Sequence, residues 1–140
     1  LRWPGTIRPG QEDVPVSSLD LVPTILRAAG LRRREGLPGV DLLDRPAVQR
    51  RRGVEGACFT HDAVDMDRPE SGLRWRWRVE GDWKLIVPAA WNEPGAELEL
   101  YDLKRDPFET VNQALREGSR VRRMRRDLDR WWNPNGGTGL

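Results

Sequence analysis

The chain has 140 residues, enough for one modest hydrophobic core, and its 24 basic and 22 acidic residues leave a net charge of only +2. This near balance argues against nucleic acid or another polyanion as the partner, although nearly all the basic residues are arginine. One cysteine and one histidine exclude an internal disulfide and any motif built on several histidines. No long apolar run predicts a membrane span, and no signal peptide is recognisable. Because the chain begins at Leu1 rather than at a methionine, we expect a fragment of a longer protein.

The first predicted helix begins within Ser17–Asp20 and ends at Gly30. The side chain of Ser18 or Asp20 is expected to cap its first turn, and Gly30 suits the position just past a helix end. The following segment, 31–52, is rich in glycine, proline and charge, which predicts a connection with a subdomain boundary near Pro46. The apolar residues of the helix follow the spacing of one face: Val22, Ile25, Leu26 and Ala29.

An antiparallel sheet of three or four strands is predicted next. Its strands are expected at 54–60, 73–80, 83–87 and 97–103, with Gly81-Asp82 as the turn of the central hairpin. In 73–80 four apolar residues alternate with arginines, which predicts an aromatic core face and a charged solvent face. Since tryptophans and arginines then lie on opposite sides, this strand does not suit a nucleic-acid platform. The apolar set is Leu73, Trp75, Trp77 and Val79.

A final helix is predicted after Ser119, which is expected to cap it. Its apolar residues are spaced to share the face that packs on the sheet. The predicted fold class is therefore α/β, with a small antiparallel sheet packed by a C-terminal helix. The residues of that helix face are Val121, Met124, Leu128, Trp131 and Trp132.

Three exposed positions are the predicted substrate-binding residues: His61, Asp62 and Trp91. Histidine is the side chain that ordinarily changes charge near neutral pH, and a loop tryptophan can stack on a sugar or aromatic ring. The carboxylates of 61–67 could also bind calcium weakly, but the loop lacks the glycine and the bidentate glutamate of an EF-hand. Cys58 is expected to be a small buried residue on a strand, because no proline or arginine follows it in a nucleophile motif.

Several polar residues after the last strand predict a structural clasp to the final helix rather than a catalytic set. Asp106-Pro107 favours a turn, and the other polar side chains can accept hydrogen bonds from loop amides. These other residues are Asp102, Glu109 and Asn112.

Five segments carry patterns that occur together, in this order, in one enzyme family. They are W-P-G-T-I-R-P-G at 3–10, V-S-S-L-D-L-V-P-T-I-L at 16–26, G-L-P-G-V-D-L-L at 36–43, W-K-L-I at 83–86 and L-Y-D-L-K-R-D-P-F-E-T-V-N at 100–112. Over nearly its whole length the chain thus resembles the C-terminal portion of the formylglycine-dependent sulfatases, in the alkaline-phosphatase-like superfamily. Asp41 stands where the family has serine, and Gln113 where it has leucine.

The resemblance implies that 1–47 are the end of the catalytic α/β domain and 48–140 a C-terminal sheet-and-helix subdomain. It also implies a formylglycine nucleophile and a Ca²⁺ ion, both located upstream, so no catalytic or metal residue is assigned within this chain. The implied partners are the missing N-terminal catalytic domain and a small-molecule or glycan sulfate ester. The implied location is periplasmic or secreted. We expect residues 1–140 alone to be inactive.

Two other functions remain open at this point. A phosphonate or phosphate monoester hydrolase of the same superfamily could have a similar C-terminal half. A free-standing module for sulfated glycans would use the tryptophans together with the arginine runs at 32–34 and 50–52, and its binding would depend on salt.

Overall fold

The computed structural model describes residues 1–62 and 64–134, which form two compact units, Leu1–Arg50 and a second that begins at Arg51. No helix in this described part is long and apolar enough to cross a membrane. The helices are Leu21–Ala28 (α1), Arg45–Arg50 (α2) and Gly118–Trp131 (α3), and the strands are Val54–Phe59 (β1), Leu73–Glu80 (β2), Trp83–Pro88 (β3) and Glu99–Asp102 (β4).

The first helix is preceded by a 3-10 turn, Ser18–Asp20. Asp20 occupies the predicted cap position of α1, but its side chain makes no cap hydrogen bond to that helix. Ser17 is the capping residue: its Oγ accepts from the Leu19 N–H at 3.3 Å, while its own N–H donates to Asp20 Oδ2 at 2.8 Å. The prediction failed because the extra turn moves the start of the segment back along the chain. Serine and aspartate share the work in the reciprocal arrangement of a capping box.

Asp20 is instead a buried anchor for a later segment. Its Oδ1 accepts from the Val40 N–H at 2.8 Å, and its side chain has no exposed surface. Thr24 accepts from the Leu42 N–H at 2.9 Å. Gly39 (φ 89°) is required here, because a Cβ would lie 2.3 Å from the Leu19 carbonyl oxygen. The patterns at 16–26 and 36–43 therefore describe two segments that hold each other in place.

The end of α1 is as predicted, but the segment after it and the burial of its apolar side chains differ from the prediction. Gly30 (φ 70°) follows the helix, and the Leu31 N–H donates to the Leu26 carbonyl at 2.8 Å, as in a Schellman motif. The predicted connection at 31–52 contains the short helix α2, which the proline at its second position did not prevent. The predicted apolar face of α1 remains largely uncovered, with Val22 49% and Ile25 63% exposed.

The sheet has four antiparallel strands in the order β1-β2-β3-β4, as predicted. The turn at Gly81 (φ 55°) pairs Glu80 with Trp83, so the hairpin loop has the two residues expected. One face of this sheet lies under α3. We call it the covered face, and its core consists of Leu85, Val87 and Leu100 packed against Met124 and Leu128 of the helix.

The covered face also contains Arg76 and Arg78. The predicted core face of β2 is therefore wrong except at Leu73, which is 1% exposed. Arg76 and Arg78 are each 4% exposed. Arg76 Nη2 lies 2.9 Å from Asp129 Oδ1 of α3, and Arg78 Nη2 lies 3.0 Å from Glu80 Oε2. Arg78 also pairs with Glu55 of β1. Because acidic residues on α3 and neighbouring strands neutralise the guanidinium groups, this charged side can be buried.

The opposite side, which we call the open face, contains the tryptophans of β2. It is lined by Cys58, Trp75, Trp77, Val79, Lys84, Ile86 and Glu99. Trp75 and Trp77 are half-buried rather than core residues. The Trp77 indole lies over Gly56 of β1, where a Cβ would come within 2.3 Å of the ring. Gly56 thus makes room for the ring and does not interrupt the strand.

In the final helix two of the five residues predicted for the packed face are buried, and the predicted cap is wrong. Met124 and Leu128 have no exposed surface, whereas Trp131, at the last position of α3, is 44% exposed. Glu117 precedes the helix, and Ser119 lies inside its first turn, where its Oγ accepts from Arg122 Nη2 at 3.2 Å. Trp132 lies beyond the helix, and its ring is 5.9 Å from that of Phe59.

Candidate functional site

The predicted substrate-binding residues lie at one end of the sheet. Because the strands are antiparallel, the end of β1, the start of β2 and the end of β3 lie at the same end of the sheet. His61 and Asp62 follow β1 and are exposed. The Thr60 N–H before them donates to the Gly72 carbonyl at 2.8 Å, and Thr60 Oγ donates to the Asp62 carbonyl at 2.8 Å. This loop is therefore attached to the short 3-10 turn that precedes β2.

Trp91 is attached to the same 3-10 turn, Pro69–Gly72, from the other side. Its indole N–H donates to the Glu70 carbonyl at 3.1 Å while the side chain stays 47% exposed. Asn92 donates to the carbonyls of Ser71 and Leu73, at 2.7 Å each. The structure thus positions His61, Asp62 and Trp91 around one turn, with Trp91 held by its N–H and its ring free to contact a ligand.

Arg74 is a residue at this end that the sequence analysis did not assign to the site. It is exposed at the start of β2 and forms an ion pair with Glu93, which raises the Arg74 pKa. A guanidinium group can donate two parallel hydrogen bonds to a sulfate or carboxylate group. The sequence places Arg74 next to the predicted loops, which could have indicated a binding role. The alternation of β2 indicates only on which side of the strand Arg74 lies.

The described carboxylates of the acidic loop at 61–67 make local contacts. Asp65 Oδ2 accepts from Arg68 Nε at 2.8 Å, and this hydrogen bond lowers the pKa of Asp65. Its Oδ1 accepts from the Asp67 N–H at 2.9 Å. Across residues 1–62 and 64–134 no group of three or more His, Cys, Asp or Glu residues could hold a metal ion.

Cys58 lies on a strand as predicted, but the prediction that it is buried is wrong. Its side chain is exposed on the open face, at the edge strand β1. Burial decreases along β1 from Val54 to the exposed Cys58 and Phe59 at its end, where the pairing with β2 is irregular.

The polar residues after β4 have structural partners, as predicted, but these partners lie in the loop itself and on or next to strands β3 and β4 rather than on the final helix. Asp106 Oδ2 accepts from the N–H groups of Thr110 and Val111 at 2.8 Å each, and the Val111 donor is the main reason that the Asp106 pKa is lowered. Asn112 Oδ1 accepts from the Leu100 N–H at 3.0 Å, and its amide donates to the Leu98 carbonyl at 3.1 Å. Asn112 therefore extends the hydrogen bonding of the β4 edge.

Glu109 connects this loop to the hairpin. Both carboxylate oxygens lie 2.7 Å from Lys84 Nζ, which is the lysine of W-K-L-I. Glu109 has a φ of 56°, in the left-handed region that non-glycine residues rarely adopt. The two sequence blocks at 83–86 and 100–112 are thus joined in space by an ion pair, and their polar residues have structural partners.

This architecture is shared with proteins of known structure. A four-stranded antiparallel sheet with a C-terminal helix also occurs in solved structures that have a mixed α/β fold of the alkaline-phosphatase-like type. The solved structure of BT4656 in complex with its substrate D-glucosamine-2-N,6-O-disulfate has a TM-score of 0.58 and 18% identity to this chain. The match covers 85% of this chain and 25% of that one.

The chain is similar in sequence to a portion of known sulfatases. It is 34% identical over 102 residues to the uncharacterized sulfatase YidJ of Escherichia coli (strain K12), and 32% identical over 111 residues to the choline-sulfatase of Rhizobium meliloti (strain 1021). These matches cover 73% and 77% of the chain, respectively. The chain spans only 19% of the length of either relative. No protein-family model matches it.

Proposed function

We propose that this chain is the C-terminal part of a sulfuric ester hydrolase whose reacting groups lie in the rest of a longer polypeptide. The observation that carries the proposal is the combination of a match over most of the chain with a span of 19% of the matched sulfatases. The formylglycine nucleophile and the Ca²⁺ ion are assigned to the upstream part.

The exposed apolar side of α1 supports this proposal. Leu21, Val22 and Ile25 are each about half exposed or more, which is a large apolar surface for such a small unit. A helix with an amphipathic sequence gains most of its stability by packing that side against another element. We assign the covering element to the upstream catalytic domain.

The role proposed for this chain is to contribute one rim of the substrate site. His61 and Asp62 would donate to or accept from polar groups of the ester, and the exposed ring of Trp91 would stack on its organic part. Arg74 would bind an anionic group there if Glu93 moved away. The substrate is a small-molecule or glycan sulfate ester, and we assign the enzyme to the periplasm or the cell exterior.

An assay of two proteins tests the main proposal. The full-length enzyme should release sulfate from an aryl sulfate over many turnovers, and residues 1–140 should release none under the same conditions with added calcium. Aryl phosphate, offered in parallel, should be the poorer substrate for the full-length enzyme. Preference for the phosphate would support the phosphomonoesterase alternative. Turnover by residues 1–140 would contradict the proposal that the reacting groups lie outside this chain.

The rim role is tested separately with His61→Ala in the full-length enzyme. Loss of one hydrogen bond to a charged substrate group should lower kcat/KM about tenfold or more. Asp67→Ala, an exposed carboxylate of the same loop, is the matched control and should leave kcat/KM within about twofold. Equal kinetics of the His61→Ala variant and the wild-type enzyme would remove His61 from the site.

The arginines of β2 do not provide a surface for a sulfated glycan. Two of them are buried in ion pairs under α3, and the third is paired with Glu93. A glycan-binding module would therefore depend on the arginine runs at 32–34 and 50–52, and our proposal expects residues 1–140 to show no salt-dependent binding to a sulfated glycan column. Retention that falls with rising salt would revive the alternative.

A further inference from the structure

Four consecutive backbone carbonyls at the start of β2 accept hydrogen bonds from the loops on either side. The Gly72 carbonyl accepts from the Thr60 N–H, in the loop after β1, at 2.8 Å. The other three accept from two side chains of the segment 89–93, which follows β3 and which we call the Trp91 loop. These three carbonyls belong to Glu70, Ser71 and Leu73.

Asn92 makes two of these contacts with one amide group. Its Nδ2 donates to the carbonyls of Ser71 and Leu73, at 2.7 Å each. A carboxamide nitrogen carries two hydrogens, so both are used, and only a donor can bond to a carbonyl oxygen. The Asn92 side chain is half-buried. It thus joins the Trp91 loop to the 3-10 turn at two points.

The Trp91 side chain has less to hold it than its neighbour has. Within the described part of the chain it makes one hydrogen bond, from the indole N–H to the Glu70 carbonyl at 3.1 Å. That oxygen also accepts from the Leu73 N–H. Because 47% of the side chain is exposed, packing fixes the ring only in part. The orientation of the ring therefore depends on where the loop backbone lies, and Asn92 determines this.

The two ends of the Trp91 loop are attached independently of Asn92. The Ala89 N–H donates to the Arg74 carbonyl at 2.8 Å, and Glu93 forms an ion pair with the Arg74 side chain. The N–H groups of Asn92 and Glu93 donate to the Ala89 carbonyl at 3.0 and 2.8 Å. Loss of the Asn92 amide should therefore move the middle of the loop, where Trp91 lies, more than its ends.

We propose that Asn92 is a positioning residue for Trp91, and that together they make the enzyme selective for sulfate esters whose organic part carries a ring. This inference rests on the proposed function, since it takes the substrate site from there. A tryptophan that is already fixed in place loses less conformational entropy when a ligand binds to it. Its indole ring stacks on a flat aromatic or sugar ring, which an open-chain sulfate ester does not have.

Steady-state kinetics of the full-length enzyme test the selectivity. The substrate is nitrophenyl sulfate, which has a ring, and the competitive inhibitor is propyl sulfate, which has none. In Asn92→Ala the KM for nitrophenyl sulfate should rise about fivefold with kcat within about twofold, because stacking is lost while the reacting groups are unchanged. The KI of propyl sulfate should stay within about twofold of the wild-type value.

Trp91→Ala should show the same pattern as Asn92→Ala. The double variant should have no higher KM than Trp91→Ala alone, because the amide acts through the ring. Additive increases in KM would contradict this mechanism, as would an unchanged KM in either single variant.

Two further variants separate positioning from a general loss of stability. Asn112→Ala removes another bridging carboxamide, which bonds to the Leu98 carbonyl and the Leu100 N–H beside β4, and it should leave KM unchanged. Asn92→Asp keeps the size of the side chain but has no N–H group, so its KM should rise at least as much as in Asn92→Ala. Equal increases in KM for Asn112→Ala and Asn92→Ala would overturn the proposal.

Amide hydrogen exchange of residues 89–93, followed by mass spectrometry in the full-length protein, tests the positioning without any substrate. Exchange should be at least about tenfold faster in Asn92→Ala than in the wild type, and unchanged in Asn112→Ala. Equal exchange in Asn92→Ala and the wild type would contradict the positioning role. Faster exchange in a protein that hydrolyses no sulfate ester would keep that role and remove the proposed function. Sulfate release with a KM independent of Asn92 and Trp91 would do the reverse.

Discussion

Along β2 the more hydrophobic face of the sheet is the less buried one. The arginine side of that strand is buried under α3, whereas the tryptophan side is open. On β3 and β4 the same covered face is conventionally apolar, with Leu85, Val87 and Leu100. The comparison teaches that burial on a sheet is set by the element that packs on it and by the charges this element brings.

The acidic residues of α3 make the difference possible. Asp129 pairs with Arg76 at 2.9 Å, and Asp127 Oδ2 lies 3.9 Å from Arg78 Nη2. Buried charges are tolerated when the fold holds an oppositely charged partner next to them, although such a pair adds little net stability compared with apolar residues. The open face, by contrast, presents large aromatic side chains with no described element above them.

The largest effect is expected from removing a core side chain between α3 and the covered face. Leu128→Ala removes a side chain without exposed surface, so the free energy of unfolding of residues 1–140 should fall by about 2–5 kcal/mol. Urea denaturation followed by circular dichroism measures the change. Leu115→Ala, at a side chain that is 100% exposed, is the control and should change the free energy by less than about 0.5 kcal/mol.

A second variant tests whether the buried arginine is held by its partners. Arg78→Ala leaves Glu55, Glu80 and Asp127 without their common partner, and we expect a loss of about 2–3 kcal/mol, because these carboxylates keep some contact with water. Arg74→Ala breaks an exposed pair on the same strand and should cost less than about 1 kcal/mol. Similar losses for the two variants would mean that the covered face does not isolate Arg78.

The open face predicts a smaller effect in the short chain. Trp77→Ala removes a half-buried ring whose main neighbour is Gly56, so residues 1–140 should lose about 1 kcal/mol in the free energy of unfolding. Urea denaturation compares this variant with Leu128→Ala, and equal losses in the two variants would contradict the difference between the two faces.

The smallest expected effect is the acid dependence of the loop around Asp106. The folded-state pKa of Asp106 is lowered below its ordinary value of 3.8 by the Val111 N–H and by Thr110. The group therefore contributes stability above about pH 4 that is lost as the pH falls through the folded-state pKa. Asp106→Asn should lose less stability than the wild-type chain between about pH 5 and pH 2. Thr110→Val, which removes one donor to the carboxylate, should lie between them in urea titrations at each pH.

The candidate site was predictable only as a set of residues. His61, Asp62 and Trp91 could be selected because loop positions for histidine and tryptophan have no periodic reason to be buried. Their gathering around the 69–72 turn depends on hydrogen bonds from Thr60 and Asn92 to backbone carbonyls, and such contacts leave no periodic pattern. Arg74 was not predicted as a site residue for the same reason. Strand alternation indicates the side of the sheet on which a residue lies, but not which other loops lie near it.

By itself the sequence determined the four strands, the two-residue turn at Gly81, the end of α1 at Gly30 and the turn around Asp106. Each of these depends on local chemistry: the alternation of side chains, the conformational freedom of glycine, or an acceptor placed a few residues before its donors. Only the tertiary structure decided which face of β2 is buried. Alternation states that two sides differ, whereas the packing of α3, with aspartates matched to arginines, chooses between them.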